Sequence, residues 1–325
     1  MAAATLSGAT KYTSYGARDD VITIYGNGTV NTHQGNDVID ISGVGKVSVG
    51  SGNDFIRIGG AGSVTAADGN DSIWIGGNAS INAGSGNDTM HVVGDAKVKV
   101  GNGDNQMTVG GSATIAAGDG NNTISVSGAG NIETGSGNDS VQVGSGRVTV
   151  GNGDDTVAAI GLATVTGNFG TARLDGGSIE SYMTTVGSKE VSTAVVLSGD
   201  VTMLGGCNDA LFVGGGLGTN ASMRGGSGND TFWGGQGNTT MSGGTRANYF
   251  EFFASAAGGQ HVITNFVSGK NFLYLEGESL AQLQNDEQIT VTGGNTIISL
   301  DSGQTTITLQ GFTSPLKATD IKTTS

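Results

Sequence analysis

Residues 50–66 read GSGNDFIRIGGAGSVTA, two short alternating stretches separated by glycine corners. After Asp54, Ile56 and Ile58 alternate with Phe55 and Arg57; after the second corner, Val64 and Ala66 alternate with Ser63 and Thr65. A period of two puts successive side chains on opposite faces of an extended strand, so the segment predicts two strands with a shared apolar interior. The same four positions hold Ile39, Ile41, Val47 and Val49 one segment earlier, and Ile73, Ile75, Ile81 and Ala83 one segment later.

Working outward, the tripeptide Gly-Asn-Asp or a close relative begins at Gly35, Gly52, Gly69, Gly86, Gly103, Gly120, Gly137 and Gly153, at intervals of 17 and, once, 16. A fixed interval of this length is the signature of stacked coils, in which each coil buries its apolar face only against its neighbours. The expected fold is all-β, a parallel β-roll or β-solenoid of about 17-residue coils. With stacked strands about 4.8 Å apart, nine coils between Gly16 and Gly167 predict a rod of roughly 40 Å. Glycine is frequent, 61 of 325 residues, because such corners need backbone angles that a Cβ penalises.

The two corners of a coil differ. One carries Gly-x-Gly-Asn-Asp; the other is Gly-x-Gly or Gly-x-Ala, as at Gly43/Gly45, Gly60/Gly62, Gly94/Ala96 and Gly128/Gly130, with no regular acid. The acidic corner resembles the RTX or haemolysin-type calcium-binding repeat G-G-x-G-x-D-x-U-x. VGSGNDFIR, AGSGNDTMH, TGSGNDSVQ and GGSGNDTFW match it, with Ile56, Met90, Val141 and Phe232 in the large apolar place.

The resemblance implies Ca2+ ions held between successive turns. Calcium takes six or more oxygens, and each turn would offer one carboxylate with glycine carbonyls such as those of Gly50, Gly52, Gly84, Gly86, Gly135 and Gly137. The sixth-position residues are Asp20, Asp37, Asp54, Asp71, Asp88, Asn105, Asn122, Asp139 and Asp155. The two asparagine coils are expected to hold weaker sites or none. Because the second corner is abbreviated and lacks its acid, one line of several ions along one edge is expected. Gly-Asn-Asp is also good turn chemistry in its own right, but carboxylates stacked about 5 Å apart repel unless neutralised.

Five stretches follow from the pattern. Residues 1–15 are a polar lead-in placed to pair with the first coil; 16–167 form the regular calcium-binding solenoid; and 168–204, where the period fails, read as irregular coils or an insertion. A second RTX-type array occupies 205–248, with repeats starting at Gly225, Gly234 and Gly243, and Asp209 and Asp230 as candidate ligands. Thr239 and Asn248 stand in the acid position of the other two repeats. Residues 249–325 read as a C-terminal β cap with an export signal at its end. There Gln260, His261, Asn265 and Lys270 replace the acids usual in segments that close such arrays, so the cap is expected to keep its shape without an ion. ITVTGGNTIISLDSGQTTITLQGF predicts a hairpin with a glycine turn.

A net charge of −14 and a pI near 4.3 argue against nucleic acid or anionic membrane as partner, both of which need basic patches. One cysteine and one proline leave no disulfide framework. No stretch is long and apolar enough for a transmembrane helix, and the start carries no classical secretory signal. Proteins with such repeats leave the cell through a type I ABC exporter, so the resemblance implies a secreted, extracellular or cell-surface protein. No H-E-x-x-H or G-x-S-x-G motif occurs, and the outward residues Arg57, Trp74, His91, Thr108, Ser125 and Gln142 make no cluster of acids and bases. No catalytic residues and no enzyme activity are expected. The outward rank Val38, Phe55, Ser72, Thr89, Gln106 and Thr123 is too irregular to order water as an ice-binding face. The expected role is structural: calcium-triggered folding and self-assembly into a surface layer, matrix or filament. The alternative is a calcium-dependent adhesin, or a carbohydrate-binding accessory module acting on cell-surface polysaccharide.

Overall fold

A computed structural model describes residues 2–14, 16–183, 192–196, 200–205 and 209–322. Cys207, residues 184–191 and 197–199 of the irregular stretch, and the last three residues of the expected export signal lie outside the described residues. The chain is an all-β parallel β-solenoid of about 12 turns of roughly 17 residues. It divides into two compact units, Met1–Gly153 and Asp154–Ser325. Among the described residues no helix is long and apolar enough to cross a membrane.

In the first unit most coils supply two four-residue strands, as in Phe55–Ile58 and Gly62–Thr65. Phe55–Ile58 pairs in parallel with Val38–Ile41 and with Ser72–Ile75, which sets Ile56 between Ile39 and Ile73. Gly62–Thr65 lies likewise between Gly45–Ser48 and Ala79–Asn82. The alternating apolar positions therefore form ladders, and Ile39, Ile41, Ile56, Ile58, Ile73 and Ile75 are fully buried. Each contributes about 1.5–3 kcal/mol by leaving water. Ala117, the fourth inward position of its coil, is only half-buried.

Two features refine the expected stack. The lead-in pairs with the first coil and makes a further one: Ala2–Ser7 pairs with Asp20–Tyr25 and Thr10–Thr13 with Gly28–Asn31. The single 16-residue interval has a definite place. Val126 pairs with Val143, 17 residues on, whereas Ala129 pairs with Ser145, 16 on, so the missing residue comes out of the second corner.

In the second unit, Ser192–Val196 pairs in parallel with residues 171–174 and with Ala210–Val213, so the irregular stretch includes solenoid strands. The following array stacks Ala210–Val213, Thr231–Trp233, Tyr249–Phe252 and Phe272–Leu275. Its interior is a column of rings: Phe212, Phe232 and Phe250 lie at centroid distances of 5.0 Å, inclined by only 16° and 13°. At the end of this unit, Gln260–Ile263 pairs with Thr305–Leu309. That strand turns the sheet antiparallel, onto Asn295–Leu300 and then Ile289–Thr292. The expected hairpin is therefore two strands of a three-stranded meander. A short helix, Leu280–Asn285, opens on a capping box between Ser279 and Gln282 and buries Leu283.

Candidate cation-binding turn

Asp54 has the same parity as Ile56 and Ile58, so its side chain points inward with theirs. It is 2% exposed, and Asp20, Asp37, Asp71, Asp88, Asp139, Asp155 and Asp230 are equally buried. Each carboxylate in the first array reaches one coil back. The main-chain N–H of Asp20 donates to Asp37 Oδ1 (2.8 Å), that of Asp37 to Asp54 (2.7 Å), that of Asp54 to Asp71 (2.9 Å) and that of Asp71 to Asp88 (2.9 Å). The series continues through Asn105, Asn122 and Asp139.

The preceding residue forms a second ladder, running the other way on the outside. The N–H of Asn53 donates to Asn36 Oδ1 (2.7 Å), that of Asn70 to Asn53 (2.8 Å) and that of Asn87 to Asn70 (2.7 Å). The glycine of the tripeptide is equally constrained. Gly86 has φ +142°, and a Cβ there would lie 2.1 Å from the Gly69 carbonyl oxygen of the coil below. Glycine lets the turns stack, asparagine caps the next coil and aspartate caps the previous one. Sequence reasoning gave the asparagine no role beyond turn formation; its recurrence before every aspartate from Asp37 to Asp88 was the available signal.

In the Asp54, Asp71 and Asp88 coils that hydrogen bonding uses only half of the carboxylate. Oδ2 of Asp54, Asp71 and Asp88 is buried and accepts no hydrogen bond. Burial pushes the Asp54 carboxyl up to about 7, aided by the charges of Asp71 and Asp37 and opposed by the Asp37 N–H. Burial likewise raises Asp71 and Asp88 to about 6, with the charge of Asp88 adding to the shift at Asp71. Asp37 and Asp230 are raised by the same cause, Asp230 to about 6. An ionised carboxylate at these positions needs a positive centre beside Oδ2.

The asparagine coils show what surrounds that spot. Asn105 Oδ1 accepts its amide like the aspartates, so its Nδ2 takes the place of their Oδ2. It donates to the carbonyls of Gly103 (2.9 Å) and Gly101 (3.4 Å). Asn122 Nδ2 reaches Gly120 O (3.0 Å) and Gly118 O (3.2 Å). In the register of the stack the corresponding carbonyls are Gly52 and Gly50 at Asp54, and Gly86 and Gly84 at Asp88. A buried carboxylate oxygen grouped with main-chain carbonyls suits a hard, oxygen-seeking cation such as Ca2+. Among the described residues no three Asp, Glu, His or Cys side chains converge as a metal cluster. The donor set is thus one carboxylate per coil with backbone oxygens.

Asp209 departs from the expected position. It is exposed, and its Oδ1 accepts the N–H of Asn229 (2.7 Å), the role of the outer asparagine, while Ala210 donates to Asp230 Oδ1 (3.0 Å). GGCND is one residue shorter than GGSGND, and the inward position passes to Ala210. In the next turns Asn248 Nδ2 donates to Arg246 O (2.9 Å), and His261 bridges Thr239 Oγ1 (2.8 Å) and Gly258 O (2.9 Å). The carbonyl can only accept, so Nε2 carries the proton, and burial lowers the imidazole pKa to about 4. Asn265 pairs with both the N–H and the carbonyl of Gly243. Of the cap residues that stand in for acids, His261 and Asn265 thus act as hydrogen-bonding groups.

Outside the stack, Asp40, Arg57, Trp74 and His91 form a rank across neighbouring strands. Arg57 pairs with Asp40 (3.2 Å) and lies 5.3 Å from the Trp74 ring centre, and Trp74 and His91 are nearly parallel at 6.5 Å. No protein-family model matches the chain, and no curated protein is significantly similar to it.

Proposed function

We propose that this protein is a calcium-stabilised structural β-solenoid that works outside the cell. The observation that carries the reading is the buried, unpartnered Oδ2 of Asp54, Asp71 and Asp88 in successive coils. Carboxylates raised to about 6 or 7 by burial are unfavourable as anions at neutral pH, and a cation held by Oδ2 and the glycine carbonyls relieves the cost. An ion that binds only the stacked turns adds its binding free energy to folding. At low calcium the chain would be loosened by its own charge; at extracellular calcium the coils would lock. The resemblance to RTX repeats supports type I export and a secreted location. Repeat and cap account for most of the described residues, which supports a scaffold that assembles with copies of itself. Exposed Val38 and Phe55, on adjacent strands of one sheet face, offer apolar surface for lateral contact.

The test is a calcium titration from a chelated start, followed by far-UV circular dichroism and light scattering. Cooperative gain of β signal at submillimolar to millimolar calcium, followed by rising scattering, supports both switch and assembly. A chain already fully β-structured in chelator and indifferent to calcium removes the mechanism. A second reading, a glycan-binding adhesive module, is favoured by the rank of Arg57, Trp74 and His91 beside exposed Phe55. Calcium-dependent glycan binding by a persistent monomer, abolished by Trp74→Ala, would select it.

A further inference from the structure

The row of inward carboxylates is interrupted at Asn105 and Asn122, and the interruption has its own hydrogen bonds. Each amide does three things at once. Oδ1 accepts the N–H of the coil before, Nδ2 donates to the glycine carbonyls of its own turn, and the same Nδ2 donates to the coil after. For Asn105 the last partner is Asn122 Oδ1 (3.0 Å), and for Asn122 it is Asp139 Oδ1 (3.0 Å). The orientation is forced. A flipped amide would set its oxygen against two carbonyls and its NH2 against a main-chain N–H. An NH2 group thus joins the carbonyls of one turn to the side-chain oxygen of the next, as a cation between turns would.

The second unit repeats the solution independently. Asn248 Oδ1 accepts the N–H of Asp230 (3.0 Å) while its Nδ2 donates to Arg246 O (2.9 Å), two residues back, as Asn105 does to Gly103. Where neither acid nor amide stands in the turn, a hydroxyl or imidazole donates instead: Thr219 to Gly216 O (2.8 Å) and His261 to Gly258 O (2.9 Å).

We infer that the side-chain amides of Asn105 and Asn122 take over the role of the cation, each Nδ2 standing where an aspartate has Oδ2 and supplying the positive hydrogens itself, so that these two coils form a cation-independent block between the cation-dependent coils of the first array. The inference rests on the proposed calcium reading only for the identity of the positive centre in the aspartate coils. In chelator the block holds its turns closed and presents formed strands on which the Asp88 coil and its predecessors stack once the ion arrives. Asparagine here is a built-in substitute for metal.

The experiment compares the full chain with two double variants, Asn105→Asp/Asn122→Asp and Asp54→Asn/Asp71→Asn, by thermal melting in chelator and in millimolar calcium, with ion stoichiometry from calorimetry. Asp54→Asn/Asp71→Asn is expected to raise the chelator Tm by about 5 °C or more and to lower the number of bound ions. The Asn105→Asp/Asn122→Asp pair is expected to lower the chelator Tm and to gain a larger rise with calcium than the parent. In the parent, hydrogen exchange in chelator is expected to protect the amides of residues 105–126 and leave those of 37–75 open. A chelator Tm unchanged or lowered by Asp54→Asn/Asp71→Asn overturns the inference, even if the other pair fails to fold; so does uniform exchange along the array. If the parent ignores calcium while Asp54→Asn/Asp71→Asn still stabilises it, the calcium reading falls, the positive centre is a proton, and the substitution by amide stands.

Discussion

At the scale of the residue, one carboxylate does two jobs that pull apart with pH. In chelator, folded Asp54, Asp71 and Asp88 keep protons that the unfolded chain has released above its ordinary carboxyl pKa of about 4. Asp37 and Asp71 are the charged groups facing Asp54, and Asp88 faces Asp71. Protonation therefore favours the folded state: the contribution is fully present below about pH 4 and is lost as the pH rises through 6 to 7. Melting in chelator is expected to fall by on the order of 10 °C between pH 4 and pH 7.5. In millimolar calcium the trend reverses, because protons then displace the ion. The same sign of slope in both conditions would contradict the pairing of carboxylate with cation. Glycine at the turn is the other critical residue. Gly86→Ala meets both a positive φ and the Gly69 carbonyl at 2.1 Å, so its cost is expected to exceed ~3 kcal/mol, against near zero for Ser85→Ala on the exposed corner. Chemical denaturation of the two variants in calcium checks this.

At the scale of the element, the ring column of the second array is the feature most sensitive to a single truncation. Phe232 lies between Phe212 and Phe250 with no exposed surface, and Phe232→Ala is expected to cost ~3–5 kcal/mol by leaving a cavity between two rings. A loss below 1 kcal/mol would mean that the coils do not stack as described. Phe232 was legible in the sequence, because GGSGNDTFW sets it in the large apolar place of its repeat, whereas its stacking on Phe212 and Phe250 depends on the neighbouring coils. The 17-residue interval and the parity of Ile56, Ile58, Val64 and Ala66 likewise predict the strands. The inward course of Asp54 follows from the same parity. What the sequence hides is what depends on the neighbouring coil. Asn53 caps forward and Asp54 caps backward, and nothing within one repeat distinguishes the two directions. Ala2–Ser7 carries no Gly-Asn-Asp corner, so the sequence allows its pairing with the first coil without fixing the register, and Asp209 is misplaced because GGCND is one residue shorter than GGSGND.

At the scale of the whole molecule, a net charge of −14 on 325 residues sets the unliganded chain against itself. Raising sodium chloride from about 20 to 500 mM in chelator is expected to lift the Tm by several degrees through screening, and the gain is expected to shrink once calcium is bound. An equal salt response in both conditions would place the repulsion away from the acidic corners. Legibility ends at this scale too: a repeat fixes the coil and its interior but is silent on which outer face meets a partner. The opposed turn ladders carry one more consequence, and it is mechanical. Peeling a coil from either end of the first array breaks one bond of each ladder, one inward and one outward. A tether pulled along the axis of the cation-filled array is therefore expected to break the same two ladder bonds per coil from either direction, like a rope laid with two opposed strands.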